Sequence, residues 1–125
     1  MIAVMFEVEL KKEGSDAYFE LALNLKASLI CMPGFISIER FQSIEETVEG
    51  GPAKILSLSF WQDEASVKHW RNQFSHTQAQ TLGRKHLFSD YRIRVAKVIR
   101  DYSMAEREEA PDELKQRNGG RRFFE

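Results

Sequence analysis

Apolar and polar residues alternate along the first ten positions, MIAVMFEVEL. Ile2, Val4, Phe6, Val8 and Leu10 fall on one side, and Met1, Ala3, Met5, Glu7 and Glu9 on the other. A period of two with β-branched and aromatic residues predicts a strand. Lys11 to Ser15 is a polar turn containing Gly14. The period then lengthens: Tyr18, Leu21, Ala22, Leu25 and Leu29 form the stripe of an amphipathic helix over 16–32. Ser15 or Asp16 can cap its free N–H groups, and Pro33-Gly34 stops it. FISIERFQS (35–43) predicts a second strand, with Ile36 and Ile38 on one face and Phe35, Ser37, Glu39 and Phe41 on the other. EETVEGGP (45–52) is a loop by its acidic and Gly/Pro content. KILSLSFW (54–61) alternates most cleanly, with Leu56, Leu58 and Phe60 opposite Ile55, Ser57, Ser59 and Trp61.

Asp63 is placed to cap a short helix over 64–71 that carries Ala65, Val67 and Trp70. A further helical stretch is expected over 76–85, where Ser75 and Gln78 have capping-box spacing. SDYRIRVAKVIRD (89–101) reads as a last strand. Tyr91, Ile93 and Val95 share a face, and Val98 falls out of phase, which predicts a bulge near Ala96–Lys97. Residues 103–125 are polar, contain Pro111 and Gly119-Gly120, and end in Phe123-Phe124-Glu125. They read as a C-terminal tail, either mobile or an arm that docks on a partner subunit.

The resulting order, β-α-β-β-α-β with its second helix broken in two, defines an α+β, ferredoxin-like fold with helices on one face of an antiparallel sheet. Residues 1–102 form the domain and 103–125 the tail. Ile2, Val4, Phe6, Val8, Ile36, Ile38, Leu56, Leu58 and Phe60 are expected under the helices. The opposite face would then carry Met5, Phe35, Phe41, Ile55 and Trp61, too apolar to leave in water. A second copy would cover it, so a twofold homodimer is expected.

Composition bounds the function. A chain of 125 residues with 42% hydrophobic and 11% aromatic content suits one packed domain. The net charge of −1 excludes a generic nucleic-acid binder. It hides a split: residues 1–82 carry net −4, residues 84–102 net +4 and residues 103–125 net −1. A single cysteine, Cys31, excludes an internal disulfide and fits a reducing compartment. No apolar run approaches a membrane span, so a cytoplasmic location is expected.

Among residues that carry chemistry, His76 stands first. Imidazole can act as a base near neutral pH or ligate haem iron; its structural alternative is a helix N-terminal residue bonded to a neighbouring loop. Trp61, Trp70 and Phe74 are candidate walls for a planar substrate. Trp61 is equally a dimer-interface residue and Trp70 a core residue under the helix. Arg94, with Arg92 and Arg84, offers a guanidinium for a ligand carboxylate or phenolate, or a surface ion pair. His69 and His86 read as exposed, and their spacing to His76 fits no metal motif, so no metal is expected. Cys31 reads as a small buried hydrophobe. Nucleophile-elbow, P-loop and dinucleotide motifs are lacking.

PGF at 33–35, SLSFWQDEASVKHWR at 57–71, His76, AQTLGR at 79–84 and DYRIRVAKVIRDY at 90–102 together resemble the antibiotic biosynthesis monooxygenase (ABM) domain, of the dimeric α+β barrel superfamily. The resemblance implies a barrel of two chains and an oxygenase acting with O2 on a small aromatic or polycyclic substrate, with no cofactor. Similar haem-degrading members use a helix histidine as iron ligand, to which His76 is matched. They also use an asparagine on the first strand, and MIAVMFEVEL contains none. Three readings follow: a cofactor-free monooxygenase, a non-catalytic dimer that binds haem or another hydrophobic small molecule, and a haem-degrading monooxygenase.

Overall fold

The computed structural model describes residues 1–11, 15–45, 53–73 and 88–112. The expected helix over 76–85, most of the loop over 45–52, and Phe123 and Phe124 lie outside the described residues. The elements are β1 (Ile2–Leu10), α1 (Ser15–Leu29), β2 (Phe35–Gln42), β3 (Ala53–Trp61), a second helix α2 over 64–73, and β4 (Phe88–Lys97). The strands form one antiparallel sheet in the order β2-β3-β1-β4. That is the ferredoxin-like α+β arrangement the sequence implied.

Helix α1 lays its apolar stripe on the sheet. Tyr18, Ala22 and Leu29 are buried, and Leu21 and Leu25 half-buried. It ends at Leu29, earlier than expected, because the chain tightens: Cys31 N–H donates to Ser28 O and Met32 N–H to Leu29 O. Cys31 therefore faces solvent and is not the buried residue that its place beside the stripe implied.

The register decides which residues look at α1. Ile2, Val4, Phe6 and Val8 of β1 stand opposite Trp61, Ser59, Ser57 and Ile55 of β3, and directly paired residues point to the same face. The buried set, Ile2, Val4, Val8, Ile55, Ser57, Ser59 and Trp61, is therefore the helix face. This corrects the expected phase of β3: Leu56, Leu58 and Phe60 turn away from the helices. They lie opposite Glu7, Met5 and Ala3 on the outer face. The more apolar half of β3 is thus not the half that meets the helices, because the bulky Tyr18, Trp61 and Trp70 need small neighbours there.

In β2 the register shifts between Phe35 and Ser37. The extra residue, Ile36, is exposed, while Phe35 joins the helix face beside Trp61 and Ile38 stays on it. In β4 the pairing puts Tyr91, Ile93 and Val95 opposite Val8, Phe6 and Val4, as their shared phase predicted. The irregularity lies at the start of β4, where Asp90 pairs with Glu9 but Phe88 with Leu10. No bulge forms at Ala96–Lys97: the strand ends at Lys97, and Val98 N–H closes on Met1 O.

Two apolar clusters result. One gathers Ile2, Val4, Leu29, Trp61 and Val67 with Met32, Phe35, Ile38 and Trp70; the other gathers Val8, Leu10, Tyr18 and Ile55 with Phe6. Past β4 the chain closes on itself: Asp101 N–H donates to Glu109 Oε1 and Ser103 N–H to Glu106 O, the Arg107 guanidinium lies over the Tyr102 ring, and Ala110 is buried.

Asp63 caps α2 as expected. Its Oδ1 accepts from both the backbone N–H and the hydroxyl of Ser66, each at 2.8 Å, and these two bonds, the backbone one first, hold its carboxyl below the usual aspartate range. Gly34 packs against this cap. Its carbonyl accepts from Gln62 N–H at 2.8 Å, its φ is 81°, and a Cβ there would sit 2.6 Å from Ser66 Cβ. Gly34→Ala should therefore lose about 1–2 kcal/mol from the left-handed backbone alone and more from overlap with Ser66. The check is a thermal melt; an unchanged midpoint would contradict this packing.

Candidate active-site cleft

The gap between the two apolar clusters is the candidate site. It is a partly open cleft between the sheet and α1, with an interior of about 40 Å³. Leu21, Ala22, Leu25 and Leu29 of α1 line one side, with Tyr18 at one end and Trp70 of α2 at the other. The sheet supplies Val4, Phe6, Ile38, Arg40, Ser57 and Ser59. The walls are hydrocarbon and aromatic, and the polar groups converge on the floor, the usual composition of a small-molecule site.

The period of two builds that floor. On β3, Ile55 and Trp61 fill the two clusters, and the residues between them on the same face are Ser57 and Ser59. On β2, Arg40 stands opposite Ser57 and Ile38 opposite Ser59. Tyr18 Oη and Ser57 Oγ are 3.2 Å apart and share a hydrogen bond in which either hydroxyl can donate. Trp61 Nε1–H donates to Ser59 Oγ at 3.0 Å, which leaves the Ser59 hydroxyl hydrogen for another acceptor. Arg40 Nε is fully shielded and has no hydrogen-bond partner among the described residues.

The residues singled out in the sequence separate into groups. Trp70 lines the cleft, and its ring centroid lies 5.4 Å from that of Trp61. Trp61 is wholly buried beneath the helices, its ring 5.3 Å from Phe35. It supports the cleft from behind and does not lie on the outer face. Arg94 is paired opposite Met5 and so points to the outer face, where Nη1 donates to Glu7 Oε1 at 3.2 Å; Lys54 Nζ lies 3.7 Å from the other Glu7 oxygen. Phe74 and His76 lie outside the described residues. His69 is exposed, 3.2 Å from the Gln73 amide nitrogen. Among the described residues, no group of three or more His, Cys, Asp or Glu side chains is arranged to hold a metal.

Arg40, Tyr18, Ser57 and Ser59 escaped sequence reading. In the sequence Ser57 and Ser59 fall with Ile55 and Trp61 on the face expected to point away from the helices, and no motif marks Arg40. The only signal was their phase: Ser57 and Ser59 keep step with Trp61, and Arg40 with Ile38.

The described lining offers no imidazole or thiolate that could serve as an axial ligand for haem; His76, matched to that role, lies outside the described residues.

This four-stranded sheet, with its strand order and helix-covered face, is that of the ferredoxin-like α+β proteins. Within them the chain belongs to the antibiotic biosynthesis monooxygenase family, whose profile matches residues 1–82. It is 39% identical over 98 residues to the jasmonate monooxygenase ABM of Pyricularia oryzae, and spans 43% of that protein's length with 78% of its own. It is 32% identical to the uncharacterized protein YqjZ of Bacillus subtilis, over 78% of this chain and 79% of that one. Among solved structures, a Deinococcus radiodurans protein assigned to the antibiotic biosynthesis monooxygenases superposes with a TM-score of 0.67 at 15% identity, over 82% of this chain and 97% of its own. A MhuD variant with two manganese protoporphyrin IX molecules bound per active site superposes with a TM-score of 0.62 at 11% identity, over 82% and 99% of the two chains. At such identity the likeness is one of fold.

Placing Trp61 in the core changes what its loss should do. Trp61→Ala should destabilise each chain by about 3–5 kcal/mol, the usual cost of emptying a large aromatic site. Denaturant unfolding measures this. A variant of normal stability with weakened self-association would instead put Trp61 on the outer face.

Proposed function

We propose that the protein is a monooxygenase that binds a small hydrophobic or aromatic substrate in the cleft between the sheet and α1 and oxidises it with O2, without a cofactor. The observation that carries this reading is the cleft itself: an apolar space closed by Trp70, with polar groups gathered on one wall. The likeness to the jasmonate monooxygenase supports the reaction class. Direct reaction with O2 requires an electron-rich substrate, in practice its anion. An apolar wall favours the neutral acid, so the anion needs hydrogen bonds or a positive charge, which Ser57, Ser59 and Arg40 provide. Oxidation of an activated methylene to a carbonyl balances without an external reductant: CH2 plus O2 gives C=O plus H2O.

His76, six residues beyond Trp70 in the chain, is the proposed base, with Phe74 as a further substrate contact. Oxygen-electrode assays with an anthrone-type phenol and with jasmonate test the reading. Wild type should consume O2 with at least one of them, and His76→Ala should lower kcat about 10²–10⁴-fold, the usual worth of a positioned base. Ligand binding with no O2 uptake would make the protein a binding module.

The working unit in this reading is a cytoplasmic homodimer. Its support is the outer sheet face, where Ala3, Met5, Leu56, Leu58, Phe60 and Phe41 adjoin in register. A contiguous apolar face of this kind marks an interface. Arg94, on the same face, is assigned here to ion pairing with Glu7. Residues 1–102 constitute the domain, and 103–125 a tail that serves as an arm on the partner. Exposure of Met104, 90%, supports the arm, and the exposed free thiol of Cys31 fits a reducing compartment. Leu58→Glu should convert the dimer to monomer in sedimentation velocity without unfolding it; a wild-type monomer at micromolar concentration would sink the dimer.

A further inference from the structure

The floor of the cleft also constrains which substrate it takes. Arg40 is the only charged side chain among the described lining residues. Its neighbours on the helix face of the sheet are uncharged: Ile38 on its own strand, and Ser57 and Ser59 across the ladder. The lining contributed by α1, Tyr18, Leu21, Ala22, Leu25 and Leu29, holds no carboxylate either. By contrast, the arginine on the outer face, Arg94, is matched to Glu7. The shielded Nε–H has no acceptor among the described residues, which is costly, while Arg40 as a whole is only half-buried; a planar guanidinium is shaped to receive two oxygens of one carboxylate. The Ser59 hydroxyl, already accepting from Trp61 Nε1, has its hydrogen left to donate on the same wall.

We propose that the cleft selects amphiphilic acids: a single carboxylate pairs with the Arg40 guanidinium beside Ser59, and the apolar body lies along Leu21, Leu25 and Trp70. The inference rests on the reading of this cleft as the substrate site. An interior of about 40 Å³ admits the acid group, and the partly open side leaves the body against α1. Arg40 thereby sets specificity. It discriminates a carboxylate from its neutral ester, because the ester offers the guanidinium only an uncharged, weaker acceptor.

Jasmonate and methyl jasmonate share one body and differ in charge, so they serve as probes in isothermal titration calorimetry with the full chain. Wild type should bind the acid at least about tenfold tighter than the ester. Arg40→Gln should weaken the acid about ten- to a hundredfold, the worth of hydrogen bonds to a charged group, and change the ester less than about twofold; Arg40→Lys should recover part of the acid preference. Thermal melts of both variants report folding separately. If acid and ester bind alike and Arg40→Gln weakens both or neither, while Trp70→Ala weakens both, the cleft is the site but the acid selectivity is overturned. If Trp70→Ala and Arg40→Gln leave both ligands unchanged, the cleft reading fails along with it. Absence of binding by either probe at millimolar concentration also overturns the proposal.

Discussion

The pairing of β1 with β3 is the constraint on which the rest of the structure depends. Because side chains alternate across a sheet, setting Ile2 against Trp61 fixes the direction of every residue along both strands. Slipping the register by one would turn Trp61 and Ile55 to the outer face and bring Leu56, Leu58 and Phe60 under α1. Both phases are chemically plausible for KILSLSFW. The native one is held because Trp61 fills the end cluster with Leu29, Val67 and Phe35 and Ile55 fills the other with Tyr18 and Leu10.

The same choice makes the cleft. Large residues at the two ends of the helix face hold α1 off the sheet, and Ser57 and Ser59 between them cannot fill the gap. The cleft is thus space left by two small residues flanked by large ones, with its polarity supplied by the hydroxyls that leave the space. The Trp61-to-Ser59 hydrogen bond ties the two roles together, since the indole that fills the core also orients a hydroxyl of the site. Gly34 and the Asp63–Ser66 cap fix the start of α2 against the start of β2, and so set where Trp70 closes the cleft.

Turning the apolar half of β3 outward has a cost on the other side of the sheet. The outer face carries half-buried hydrocarbon, Leu56, Leu58 and Phe60, mixed with Glu7, whose carboxylate meets both Lys54 and Arg94. The two faces of the one sheet therefore differ: the helix side encloses the cleft, and the outer side carries the apolar half of β3.

Local pattern determined the elements. The alternation of MIAVMFEVEL, the Tyr18–Leu29 stripe, Pro33-Gly34 and Asp63 located β1, α1, its exit and the cap of α2 to within a few residues, because these signals act over one or two turns of chain. The order of elements gave the fold class for the same reason. What the sequence left open was phase. KILSLSFW is symmetric in period, and hydrophobicity alone chose the wrong face, since this strand is apolar on both sides. For the same reason Ser57 and Ser59 fall with Trp61 on the expected interface face, and Tyr18 reads only as part of the apolar stripe of α1. Only the tertiary structure, by setting β3 against β1 and α1 over both, decided which half of each strand encloses the cleft. Side-chain direction in a sheet is a property of its pairing, and no single strand carries it.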